Sequence, residues 1–444
     1  MIEGFGTIYL RYMRLNLTLV LLLTLVWAVG GARTETSSKK AMKHRFVFYP
    51  KDNPTTVVLT GDHWGWNPAA VPMTRQSDGT FTVEVELEEG AYLYKFVADG
   101  KWYHDEKNPN RVSDGFGGFN SILVIGSGKS KLPLRRSTLL NLAAAPVEFR
   151  VRGVPSDFKQ SWIPVRFEEG RLVYDDREPT ATHGRLLLSA EMLSLPQEKG
   201  TSHSLAPRQI FVYLPKGYFT PGSKHRYPVI YLHDGQNVWD DERCCFGHGG
   251  WHLNTLLDST TTLQQAILVG IPNSSARLAE YGLGADVLRL RPSPYHRFLR
   301  EVVKPRIDQD FRTRRDRKHT AVMGSSMGGI VSITTGYVYP DTFGVVAALS
   351  PAFQVPDAQG RTLLDVVKKH GRGRFRLYVD NGTAGETQDG APLTREFVNL
   401  ARQKGWKDGV DFEHFEDVGA AHNERAWRMR AWRPLKFILE SRSR

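Results

Sequence analysis

The 444-residue chain has only two cysteines, Cys244 and Cys245, and they are adjacent. Neighbouring Cα atoms stand about 3.8 Å apart, below the usual disulfide range of about 4.4 to 6.8 Å, so the two form either a vicinal disulfide or a pair of thiols. A disulfide framework is excluded, and stability must come from a hydrophobic core. Long apolar runs are also scarce. One exists, "LNLTLVLLLTLVWAVG", after Arg11 and Arg14 and before Gly30, Gly31 and Ala32. A basic start, an apolar stretch of about 15 residues and a small-residue site describe a signal peptide over residues 1–32, too short for the roughly 20 residues that span a bilayer. Met13 is an alternative start. The expected location is exported, periplasmic or extracellular, with membrane attachment only if that segment stays uncleaved. No nucleic-acid motif is present. The formal charge is +12, and loss of residues 1–32, which hold two Arg and one Glu, lowers it by one. The densest basic run, "RTRRDRK" at 312–318, reads as a solvated loop face.

What is there falls into two rhythms. Residues 44–126 contain short alternating runs ("TTVVLTG", "GTFTVEVELEEGAYLYKFVADGKWYH", "NSILVIG") broken by "SDG", "EEG" and "ADG". That period of two with frequent turn signals predicts a small all-β, immunoglobulin-like sandwich. Residues 127–185 open with the polar "GSGKSKLPLRRS" and are expected to be a linker and connecting segment. From 186 to 444 the pattern becomes continuous apolar runs ("QIFVYLP", "PVIYLHD", "QAILVGIP", "HTAVMG", "VVAALSP", "RFRLYVDNG") alternating with helix-like stretches. Strands buried on both faces read this way, so the fold class expected is α/β, a three-layer α/β-hydrolase sandwich behind the β domain.

One short stretch carries chemistry. "MGSSMGG" meets G-x-S-x-G with Gly324, Ser326 and Gly328, between a strand signal and a helix signal ended near Pro340. Small residues two before and two after a serine at a strand-to-helix turn let the backbone pass close, and the helix N-terminus favours negative charge. Ser326 is therefore the expected nucleophile and Ser325 its neighbour. A hydroxyl needs a base, and the order serine, acid, histidine is expected. His422, in "EDVGAAHNERAW", is the histidine that follows the last strand-like run. The loop after "RFRLYVD" offers Asp380, Glu386 and Asp389. Glu386 is the expected acid because it sits further out, where a carboxylate reaches an imidazole, and Asp380 is the alternative. Developing oxyanion charge needs donors, and the backbone N–H groups of Met327 and Gln236 are expected to provide them. His233 and Asp234 are adjacent in a strand and point to opposite faces, so no metal and no cofactor are expected.

"RQIFVYLPKGY", "PVIYLHDGQNVWD", "VGIPNSSARLAEY", "MGSSMGGI", "YVDNGTAGE" and "GAAHNERAW" resemble, in order, the esterase D-type putative esterase family of α/β-hydrolases, with its feruloyl, acetyl-xylan and enterochelin esterases and mycolyltransferases. The resemblance implies the same serine, histidine and oxyanion donors. Where that family places its acid in a G-T-x-D-like loop, this chain has "GTAGE", one residue later. Arg277, Glu280 and Tyr281 line the pocket, or the first two form an ion pair.

"TGDHWGWNP", "AYLYKFVADGKWYHDEKNPN" and "FGGFNSILV" resemble the glycogen-binding domain of the AMP-activated kinase β subunit and family 48 carbohydrate-binding modules. Trp66, Lys95, Trp102 and Asn120 match its sugar-contacting positions, and indole faces with amine and amide donors suit sugar rings and hydroxyls. Together the resemblances imply a secreted serine esterase whose partner is an ester substrate, polysaccharide-linked, acetyl or feruloyl. The same site would serve siderophore trilactone hydrolysis or acyl transfer, and the alternative of another class is a non-catalytic polysaccharide-binding protein.

Overall fold

The computed structural model describes residues 42–64, 70–87, 90–113, 119–125, 146–180, 182–196, 205–245, 248–274, 276–284, 286–385 and 387–440. The proposed signal peptide lies outside the described residues, and among those no helix is long and apolar enough to cross a membrane.

Among the described residues nine strands form in the first part: β1 (Met42–Phe48), β2 (Val57–Gly61), β3 (Val71–Pro72), β4 (Thr74–Arg75), β5 (Phe81–Leu87), β6 (Gly90–Ala98), β7 (Lys101–Tyr103), β8 (Arg111–Ser113) and β9 (Phe119–Ile125). They make one sheet in the order β1-β5-β4 and another in the order β3-β2-β6-β9-β8, with β7 paired to β6. The alternation read in the sequence has its physical counterpart on β1, where Phe46 and Phe48 are buried and Val47 between them is less so. On β6 residues 94–98 are buried throughout, with the Phe96 ring tilted 5.0 Å from Phe48 and edge-on 5.7 Å from Tyr94.

The second part is built on a ten-stranded sheet of β10 (Trp162–Glu168), β11 (Arg171–Tyr174), β12 (Arg185–Ser189), β13 (Phe211–Leu214), β14 (Val229–His233), β15 (Ile267–Ile271), β16 (Thr320–Ser325), β17 (Val345–Leu349), β18 (Arg376–Gly382) and β19 (Phe412–Asp417). Its order is β11-β10-β12-β13-β15-β14-β16-β17-β18-β19. From β15 to β19 neighbours run parallel, and from β11 to β15 antiparallel. The expectation of a connecting segment through residue 185 is corrected here. Trp162–Glu168 and Arg171–Tyr174 pair as a hairpin, with Val165 and Leu172 buried, and extend the sheet. Their runs "WIPVRFE" and "RLVY" lie beside polar and Pro-rich residues, which hides a four-to-seven-residue strand in a composition reading.

The continuous apolar runs follow from burial on both faces. Val229, Tyr231, Val322, Val346, Leu377 and Val379 pack in one layer with the helices Met327–Val338, Leu363–His370 and Ala391–Gln403. Their alternates Ile230, Leu232, Ala321, Met323, Ala347 and Tyr378 pack in the other, with Leu253–Ser259 and the C-terminal helices Glu424–Arg430 and Trp432–Leu439. Each Val, Ile, Leu or Met among them contributes roughly 1.5–3 kcal/mol when fully buried. The helix Met327–Val338 is buried from Met327 through Gly336, which explains why its sequence shows no polar face. It stops at Tyr339, whose successor Pro340 disfavours the helical conformation of the residue before it.

Candidate functional site

The parallel strands deliver the site at their C-terminal ends, where strand-to-helix turns leave main-chain groups unpaired. β16 ends at Ser325, and Ser326 turns the chain sharply with φ 57° and ψ −120° before the helix begins at Met327. A positive φ in a non-glycine residue is strained and persists only where the surroundings impose it. Here they do: the Ser326 amide donates to Leu349 O at 2.9 Å, and its carbonyl accepts from Ala352 N at 3.1 Å. A Cβ on Gly324 would stand 2.8 Å from the Gly328 backbone, so the elbow closes only with glycine there. Ser325, the neighbour in the motif, lies in the strand paired with Leu349. Met327 opens the helix, so its N–H has no carbonyl one turn back to bond.

The loop after β14 approaches this elbow. A Cβ on Gly328 would meet Asp234 Oδ2 at 3.2 Å. The amides flanking Gln236 are both committed, Gly235 N to Ile271 O and Asn237 N to Asp234 O, each at 2.8 Å, and the Gln236 Oε1 accepts from Asn273 N. Asp234 anchors the loop. Its carboxylate receives Arg277 Nε and Nη2 at 2.7 Å each and Asn273 Nδ2 at 2.6 Å, while its amide donates to Tyr281 Oη at 3.0 Å. The Arg277–Glu280 pair considered from the sequence does not form. Glu280 instead pairs with the buried Arg208 and accepts from Ser274. His233 bonds Tyr295 Oη at 3.0 Å, and burial pushes its imidazole down to about 3.

Across the sheet, β18 and β19 supply the remaining groups. His422 follows β19, and its Nδ1 is hydrogen-bonded to Asp389 Oδ1. Asp389, which the sequence reading did not choose, is the carboxylate on the histidine, and the expected acid Glu386 lies outside the described residues. The alternative, Asp380, is engaged elsewhere. It is fully buried at the end of β18, ion-paired to Arg430 Nε at 3.1 Å, bonded by the Ser350 amide at 3.2 Å and the Tyr378 hydroxyl at 3.1 Å. Burial pushes Asp380 up to about 6 against the pull of Arg430. Burial also pushes Asp389 up, but bonds from His422, Ser350 and the Gly382 amide outweigh it and leave the carboxyl below its ordinary range. The loop doubles back to do this. Thr383 and Ala384 amides both reach Ala420 O, Gly382 N donates to Asp389 Oδ2, and Asp389 has φ 50° with Gly390 at 72°. The sequence signal was the "DG" before Pro392, a turn dipeptide opening the helix Ala391–Gln403.

Ser326 and this pair share one support. The turn Leu349–Ala352 bonds the Ser326 backbone at both ends, and Ser350 Oγ in the same turn donates to Asp389 Oδ2 at 2.6 Å. The Trp427 ring stands edge-on to His422 at 4.9 Å. The buried Glu424 accepts from Asn237 Nδ2 at 3.2 Å, and burial pushes its carboxyl up to about 7.

In the β domain, Lys95 lies on β6 opposite Thr60, and Trp102 on β7 opposite Val97. Residues two apart share a face, so Lys95, Val97 and Trp102 belong to one face of that sheet, the one opposite Tyr94 and Phe96. Asn120 is buried on β9 opposite Val112. Trp66 lies outside the described residues.

Residues 45–130 match the glycogen recognition site of AMP-activated protein kinase. Among curated relatives, the ferri-bacillibactin esterase BesA of Bacillus subtilis is 28% identical over 180 residues, 36% of this chain and 57% of that protein. The endo-1,4-beta-xylanase/feruloyl esterase of Xylanibacter ruminicola is 28% identical over 153 residues, 33% of this chain and 20% of that protein. Among solved structures, the enterobactin esterase FES from Shigella flexneri aligns over 92% of this chain and 98% of its own at 14% identity, with a TM-score of 0.44. Residues 202–434, more than half of the chain, match the family described as "Putative esterase", and the chain belongs to that family.

Proposed function

We propose that the chain is a serine carboxylic ester hydrolase. The observation that supports the reading best is the His422–Asp389 hydrogen bond, tied through Ser350 to the turn that holds the elbow serine at a helix N-terminus. Ser326 Oγ attacks the ester carbonyl while His422 Nε2 takes its proton, and Asp389 holds the imidazole through Nδ1. Negative charge on the carbonyl oxygen is met by the Met327 and Gln236 amides. The alcohol leaves with the proton from His422, and water, activated by the same imidazole, releases the acid from the acyl-enzyme.

The substrate reading is an acetyl or feruloyl ester on carbohydrate. A glycogen-recognition module at 45–130 and the feruloyl esterase relative both favour it. In that module, taken as an immunoglobulin-like sandwich, Trp66, Lys95, Trp102 and Asn120 would contact sugar. The protein would act after export, on the strength of the sequence of residues 1–32. A second reading, a siderophore trilactone as the ester, is favoured by the BesA relationship and by a formal charge of +12. Initial rates on acetylated xylan, methyl ferulate and a catecholate trilactone, each with Ser326→Ala as control, test the reading. Turnover of the first two above the third supports the carbohydrate assignment, and turnover of none of them rejects it.

A further inference from the structure

The carboxylate on His422 is wired from behind by groups that no catalytic role yet uses. Ser350 Oγ receives the indole Nε1 of Trp427 at 3.0 Å and Nη2 of Arg430 at 2.7 Å. Both are obligate donors. A serine hydroxyl has two lone pairs and one proton, so with both lone pairs engaged the proton has one direction left, toward Asp389 Oδ2 at 2.6 Å. That oxygen also takes the Gly382 amide. With two donors on Oδ2, the carboxylate meets His422 through Oδ1, and the proton between them belongs to Nδ1 of the imidazole. Nε2 is then the basic nitrogen.

We propose that Arg430 and Trp427, acting through Ser350, are positioning residues that set the direction of the hydrogen bond to Asp389 and thereby select the His422 tautomer that can act as a base. The proposal rests on the Ser326–His422–Asp389 reading for its catalytic meaning.

Charge points the same way. Arg430, with its side chain 2% exposed, stands between Asp380 Oδ1 at 3.1 Å and Asp389 Oδ2 at 3.7 Å, with the more exposed Asp417 at 3.6 Å from Nη1. One guanidinium faces two fully buried carboxylates. Asp380, which also faces the Tyr378 hydroxyl and the Ser350 amide, cancels the Arg430 charge. The negative charge left on Asp389 is the one an imidazolium at 422 would neutralise. Asp380 therefore acts as the counter-charge that lets a buried arginine sit behind the acid without quenching it. The sequence places all of this at a distance of one helical turn: Trp427 and Arg430 are three residues apart on the helix Glu424–Arg430, so both side chains project from the same face toward Ser350.

The test uses the full chain and four variants: Ser350→Gly, which suits the positive φ of 40° at that position, Trp427→Phe, Arg430→Met and the Ser350→Gly/Arg430→Met pair. On p-nitrophenyl acetate, Ser350→Gly and Arg430→Met should each lower kcat about 10- to 100-fold with KM within about 2-fold, as outer partners of reacting groups do. The pair should be no worse than its weaker member by more than about 2-fold, because both act through one hydroxyl. The Nδ1–H resonance of His422, identified by its loss in His422→Ala, should be present in the unmodified protein and weakened in each variant. Multiplicative losses in the pair, or a Ser350→Gly protein that keeps both rate and resonance, overturn the proposal. Should Arg430→Met fail to fold, Trp427→Phe decides: it keeps the ring against His422 and removes only the donor, so an unchanged kcat and resonance refute the wiring. The resonance is read without turnover. A resonance that responds as described in a protein with no esterase activity would therefore sink the hydrolase reading and leave the wiring standing.

Discussion

Replacing Asp389 by asparagine should silence the enzyme without unfolding it. Asp389 Oδ2 accepts from the Ser350 hydroxyl and the Gly382 amide, and Oδ1 meets His422 Nδ1. An asparagine has one acceptor and one donor group. Turned with its NH2 toward Ser350 and Gly382, it would set donor against donor inside a buried loop, at a cost of about 1–3 kcal/mol for each group left unpaired. Turned the other way, the oxygen satisfies both donors and the NH2 faces His422 Nδ1. That second arrangement wins. It forces Nδ1 to accept and moves the imidazole proton to Nε2, the nitrogen that takes the proton of Ser326 in the proposed mechanism. The loss expected in kcat is about 10⁴-fold, or about 5 kcal/mol of barrier, with KM little altered. Steady-state hydrolysis of p-nitrophenyl acetate at neutral pH measures it, and the thermal midpoint checks the fold. A kcat within tenfold of the parent, or a larger loss in Glu386→Gln than in Asp389→Asn, would refute the reasoning.

Three further outcomes follow from neighbouring contacts. Arg277→Met strands the Asp234 carboxylate beside the elbow, so urea unfolding should show a loss of about 3 kcal/mol or more, with a fall in kcat as the Gln236 amide loses its anchor. Gly324→Ala puts a methyl 2.8 Å from the Gly328 backbone, which should cost about 1–3 kcal/mol in a denaturant titration and abolish most turnover, since the elbow must open to admit it. Glu424 has a folded-state value raised to about 7 from 4.5, so folding takes up a proton there and stability falls as pH rises through that window. Glu424→Gln should flatten this fall, gaining up to about 3 kcal/mol over the parent at pH 8 and nothing at pH 4, as read from urea midpoints at the two pH values.

The elbow at Ser326 and the place of His422 after the last strand were legible in the sequence because each is fixed by a local rule. The serine needs small residues two positions away on both sides, and the histidine must follow the last strand of a parallel sheet. The sheet itself showed as apolar runs because β14, β15 and β17 are buried on both faces along their whole length. The acid was harder. Asp380 sits at the strand end where the motif points, yet a buried arginine from the C-terminal helix occupies it. Arg430 is 50 residues away in sequence, and no local pattern announces that pairing. Glu386 and Asp389 differ only in how a seven-residue loop folds back, which depends on amides of Gly382, Thr383 and Ala384 and the carbonyl of Ala420. The hairpin of β10 and β11 escaped for a related reason. Its strands are short, and a proline stands inside "WIPVRFE", where composition argues against a strand.

The most direct measurement is covalent labelling. The folded protein treated with a fluorophosphonate should gain one adduct by intact mass, mapped by peptide sequencing to Ser326, and the adduct should fail to form in His422→Ala. A folded protein that takes no label, or takes it on a serine other than Ser326, would contradict the account.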